Sequence, residues 1–87
     1  MVENIIVESG TTWDKEFLFE DLSFLSSKSS CGCTVLKRIE VVPNGFTALV
    51  SYKAGKKGNF VQWIKFKVAD KEKQQKEIKL ELNIQVI

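Results

Sequence analysis

Residues Ile78-Lys79-Leu80-Glu81-Leu82-Asn83-Ile84-Gln85-Val86 alternate without a break between apolar and polar side chains. Period two is the signature of a strand with one face on a core and the other in water. Working back along the chain, Phe60, Ile64, Phe66 and Val68 share one parity, with Gln62 at the same parity. Val61, Trp63, Lys65 and Lys67 hold the other. Phe46, Ala48, Val50 and Tyr52 repeat the pattern after Pro43-Asn44-Gly45, a turn in which proline presets φ and Asn-Gly tolerates positive φ. Further back lie a β-branched stretch from Thr34 to Val42, a short apolar piece at Phe24-Leu25, an alternating run from Trp13 to Phe19 and an apolar run over residues 2–7 ended by Ser9-Gly10. Gly55-Lys56-Lys57-Gly58-Asn59 reads as a hairpin connection with its lysines held in water. Asp70 to Lys76 has helix-forming residues but no apolar stripe, so it reads as a charged loop. About seven short strands separated by turn signals predict an all-β fold, an immunoglobulin-like antiparallel β-sandwich.

Eighty-seven residues make one domain, 1–87, with 44% hydrophobic residues. A chain this short buries only ~60–70% of its unfolded surface, so its core must be efficient or a partner must help. No apolar run approaches a membrane span. The segment Met1-Val2-Glu3-Asn4-Ile5-Ile6-Val7 lacks the basic and long apolar regions of a signal peptide, which leads us to expect a chain that first folds in a reducing compartment. Net charge is +2, but it is unevenly spread. Residues 1–27 stand at −5 and the remainder at +7. Neutralisation between interleaved strands is the favoured reading, and head-to-tail assembly of unlike surfaces is the other.

Both cysteines lie in Ser29-Ser30-Cys31-Gly32-Cys33-Thr34, between two strand-like stretches. Around this motif run a glycine turn, Phe17-x-Phe19, a short apolar strand, Pro43-x-Gly45, Gly55-x-x-Gly58-x-Phe60 and a closing apolar strand. From Ile5 to Val86 this order resembles a bacterial immunoglobulin-like family of unknown function that carries a Cys-Gly-Cys-Thr motif, related to Hydin-type and major-sperm-protein-like sandwich domains. Glu20-Asp21 stands where that family has an asparagine, and many of its members are exported. The resemblance implies the sandwich and implies no catalysis.

Cys31 and Cys33 admit three readings. Thiolates bind zinc or copper(I), but a zinc site wants about four ligands and the chain has no histidine and no third cysteine. A redox pair lacks the spacing of thioredoxin-type motifs, and a disulfide would close across a single glycine. The favoured reading makes both cysteines small side chains at a strand start, on one side of the strand and jointly buried, with Gly32 allowing close backbone approach. No metal site and no cofactor are implied.

Lys53, Lys56, Lys57, Lys65 and Lys67 fall near Tyr52, Phe60 and Trp63. Bases interleaved with aromatics can bind single-stranded nucleic acid. The favoured reading gives the lysines the role of guarding exposed edges against aggregation. With Phe60, Ile64 and Phe66 in the core, Trp63 and Val61 point outward beside Lys65 and Lys67, the pattern of a protein–protein contact. A strand buried on both faces is the alternative. Trp13 is the second candidate contact residue. With no histidine and no clustered carboxylates, acid–base and triad chemistry have no support.

The sequence therefore points to a non-enzymatic structural or binding module. Its most concrete form is a small bacteriophage virion protein, a capsid decoration or head–tail accessory subunit assembled in the host cytoplasm. Its partners would be other protein subunits in a repeating lattice, with contacts between copies of the chain, and neither membrane nor nucleic acid. The alternatives are a cytoplasmic or periplasmic adaptor binding one protein partner, and a thiol or copper-binding protein using Cys31 and Cys33.

Overall fold

A computed structural model describes all residues, 1–87. Seven strands follow in order: β1 (Val2–Val7), β2 (Thr12–Glu20), β3 (Ser23–Ser29), β4 (Thr34–Val42), β5 (Gly45–Lys53), β6 (Gly58–Ala69) and β7 (Gln75–Val86). They form a four-stranded sheet, β1-β7-β6-β3, and a three-stranded sheet, β2-β5-β4. The orders β2-β5-β4 and β3-β6-β7 are those of the two sheets of an immunoglobulin sandwich, with β1 added at the edge of β7. No helix long and apolar enough to cross a membrane is present.

The alternating residues meet between the sheets as the periodicity requires. Phe66, Val68, Leu80 and Leu82 from one sheet and Ala48 and Val50 from the other are fully buried. Aromatic rings bridge the two sheets. Phe19 stacks on Phe46 at 4.8 Å and touches Phe66 of the opposite sheet at 5.0 Å, while Phe24 meets Phe46 edge-on at 5.7 Å. Offset and edge-on rings add about 0.5–1.5 kcal/mol per pair beyond the area they bury.

Three features depart from the sequence expectations. The sandwich is not wholly antiparallel, because β1 pairs with β7 in parallel. This pair joins the two ends of the chain, so the rest of the domain serves as the long connection a parallel pair needs. Its register matches the core faces, with Ile5 beside Ile84 and Val7 beside Val86. Second, residues 54–57 are no hairpin. They carry the chain from β5 in one sheet to β6 in the other, since β5 already has β2 and β4 on its two sides. Third, the charged loop after β6 is shorter than expected. A tight turn holds Asp70 to Gln74, where the Asp70 carboxylate accepts from the amides of Glu72 and Gln74, and Gln75 already belongs to β7.

The true hairpins are β4–β5 and β6–β7. In the first, Gly45 has φ +151° and a Cβ there would collide with the Phe19 carbonyl oxygen of β2. Only glycine allows the neighbouring backbone so close. Charge neutralisation between the chain halves is seen at Asp14–Lys37, Glu16–Arg38 and Asp21–Lys71, at 3.8, 3.4 and 3.0 Å.

Candidate functional site

The outward side of the four-stranded sheet brings together most of the residues singled out in the sequence. Ile64, Phe66 and Val68 of β6 are buried, which turns Val61, Trp63, Lys65 and Lys67 outward. Val61 is 63% exposed and Trp63 half-buried. Phe60, expected in the core, sits at its rim, 36% exposed, at the crossover end of the sandwich beside Cys33, Gly55 and Lys56.

Register sets the neighbours. Trp63 lies opposite Glu81 of β7, and Glu81 lies opposite Val2 of β1. Val61 lies opposite Asn83, which donates a 3.3 Å hydrogen bond to Asn4. Beside them is an open groove of about 460 Å³ walled by Ile6, Asn59 and Val61 and floored by Asn83 and Gln85. Ile6 is 70% exposed. Neither Val2 nor Ile6 stood out in the sequence, where residues 2–7 read as one apolar run. Their signal was parity on an edge strand, which places them away from Ile5 and Val7.

Next along the sheet the surface turns basic. Lys28, Lys65 and Lys79 stand directly opposite one another across β3, β6 and β7. Lys65 lies 4.9 Å over the Trp63 ring and 3.8 Å from the Glu77 carboxylate. Trp63 thus has its ring face occupied by a cation, which holds the indole against the sheet rather than leaving it free for stacking. Lys53 ends β5 on the other sheet, Lys56 and Lys57 belong to the crossover that leads into β6, and Tyr52 is in the core. The five lysines and three aromatics therefore form no single basic-aromatic surface.

Trp13 does not join Trp63. It is in the inner row of β2, on the other sheet, and packs against the core. Its neighbour Lys15 points to the same side and pairs with Glu3 of β1 at 2.6 Å, closing the sandwich where the edge strands of the two sheets meet. An inward-pointing charge on an edge strand also blocks edge-to-edge pairing.

The Cys31-Gly32-Cys33 segment corrects another expectation. The cysteines precede β4 in a turn, are half-buried, and form a disulfide with their Cα atoms 5.5 Å apart. They are not free, jointly buried thiols at a strand start. With both sulfurs in the bond, neither is a thiolate for a metal, and the thiol or copper reading applies only to a reduced form. Thr34 begins β4 and is fully buried, its hydroxyl without a hydrogen-bond partner. The turn is the crossover from β3 to β4, and it is tied to both sheets. Ser30 exchanges hydrogen bonds with Trp63 on one side, and Lys53 N donates to Cys33 O at 3.0 Å on the other.

No known protein family matches the chain, and no curated protein matches its sequence.

Proposed function

We propose that the chain is a non-enzymatic docking subunit, binding other protein subunits through the outward face of its four-stranded sheet. The observation that carries this is four apolar side chains, Val61 and Trp63 on β6 and Val2 and Ile6 on β1, flanking Glu81, Asn83 and Gln85 of β7 on a face whose reverse side is the core. Apolar side chains gathered on one otherwise polar sheet face are characteristic of contact surfaces. Trp63 is held in place by Lys65 and by the turn at Ser30, so little order must be gained on binding. Open grooves with few convergent polar groups suit a protein surface better than a small substrate.

The most concrete setting is a bacteriophage virion, where a minimal sandwich decorates a shell or tail lattice and weak contacts are multiplied by repetition. A half-exposed disulfide is at home on a virion surface, which is an oxidising environment. The resemblance to the Cys-Gly-Cys-Thr sandwich family fits such a module, because it brings a scaffold and no chemistry.

The test is quantitative mass spectrometry across a density gradient of source lysate. The chain is expected in a dense particle fraction at a fixed ratio to a major shell or tail protein. Recovery only among soluble proteins removes the virion and leaves the single-partner adaptor.

A further inference from the structure

The outward faces of the two sheets are unlike in charge. On the four-stranded sheet, Lys28, Lys65, Lys67 and Lys79 outnumber Glu77 and Glu81, a net of +2. Three of those lysines stand in one cross-strand row, an arrangement that destabilises a sheet by itself. The fold answers it only in part, since Lys65 has Glu77 and Trp63 while Lys28, Lys67 and Lys79 form no ion pair.

The outward face of the three-stranded sheet is the converse. Asp14, Glu16, Glu20 and Glu40 outnumber Lys37, Arg38 and Lys53, a net of −1. Leu18 is 55% exposed among those acids, with Leu49 beside it opposite Glu16. One face therefore offers an apolar group rimmed by amines, and the other an apolar group rimmed by carboxylates. The domain measures 44 × 19 × 19 Å, so a full face offers roughly 800 Å², the area each partner gives to an interface of standard size.

We infer that the occupant of the four-stranded face is the three-stranded face of a second copy of this chain. This rests on the docking role proposed above and names its partner. The two surfaces lie on opposite sides of the sandwich, so the contact is heterologous and extends head to tail instead of closing as a twofold dimer. Glu20, which has no ion pair, and Asp14, Glu16 and Glu40, held in exposed pairs of 3.2–3.8 Å, face the lysine row of the next copy, and Leu18 meets the apolar group around Trp63 and Val61. Such repetition gives a lattice-forming subunit its own lateral contact.

Two single-face variants of the full chain test this by sedimentation velocity. Val61→Glu spoils the basic face and Leu18→Lys spoils the acidic one. Both positions are exposed, and thermal melts check that each variant folds. If Val61→Glu does not fold, Lys67→Glu replaces it. The wild type is expected to grow with concentration, and less so in high salt. Each variant alone should remain a monomer, and an equimolar mixture should form a dimer that grows no further, since it has one intact interface. A wild type that stays monomeric at the highest attainable concentration overturns the inference. So does self-association of either variant alone, or a mixture that stays monomeric. If the wild type is monomeric yet binds a different protein through Trp63, the docking role stands and only the self-contact fails.

Discussion

Ser30 and Trp63 are joined twice, the Ser30 amide donating to the Trp63 carbonyl and the Trp63 amide donating to the Ser30 hydroxyl, each at 2.9 Å. The same hydroxyl donates to the Gln62 side chain at 2.7 Å. The turn that joins the two sheets thus fixes the backbone of the residue at the centre of the docking face. Ser30→Ala removes the acceptor and leaves the Trp63 amide to water. A loss of about 1 kcal/mol is expected in urea unfolding, together with faster hydrogen exchange at Trp63.

The disulfide closes a loop of only three residues, and chain-entropy arguments give such a short loop little leverage. The double replacement Cys31→Ser, Cys33→Ser should fold with its core intact and lose roughly 1–2 kcal/mol. For a domain of this size that lowers Tm by several degrees. Thiol titration of the native wild-type protein should find no free thiol before reduction. Failure of the double variant to fold would show that the motif organises the core rather than the turn alone.

Thr34 has the opposite character, a hydroxyl buried without a partner at the mouth of the core. Thr34→Val keeps the shape and removes the desolvated oxygen. It should leave stability unchanged or raise it by about 1 kcal/mol, read as a higher Cm with the same m-value.

Gly45 is the position least able to change. A methyl group there collides with backbone, the Phe19 carbonyl on β2, rather than with a flexible side chain. Gly45→Ala must push β5 off β2 or twist the hairpin, at a cost of roughly 3 kcal/mol or more. It should be the most destabilising of these variants by thermal melting.

Much of this fold was legible because its strands are one-sided. Apart from Phe60, the runs ending in Val68 and Val86 placed their core residues by parity alone, and β2, β4 and β5 fall where alternation or β-branching put them. Edge strand β3 was seen only at Phe24 and Leu25, since Ser26 to Ser29 are polar and carry no period-two signal. What escaped is non-local. Gly55 to Gly58 has hairpin chemistry, yet which strand lies beside β5 is decided by β2 and β4, far away in sequence. The outward placement of Trp63 and Val61 followed from parity once Ile64 and Phe66 were assigned to the core. Val2, Ile6, Lys28 and Lys79 join them only through the register of β1, β7, β6 and β3, which no single segment encodes. Trp13 shared the chemistry of Trp63 but not its sheet.

The most direct measurement is site-specific photo-crosslinking in source lysate, with the reactive side chain placed at position 61 in one protein and at position 41 in another. Val41 is 88% exposed, on edge strand β4 of the other sheet, and so controls for exposure alone. A defined protein adduct from position 61, lost when Trp63→Ala is added and absent from position 41, is the expected result. Adducts from position 41 with none from position 61 would contradict docking through the four-stranded face.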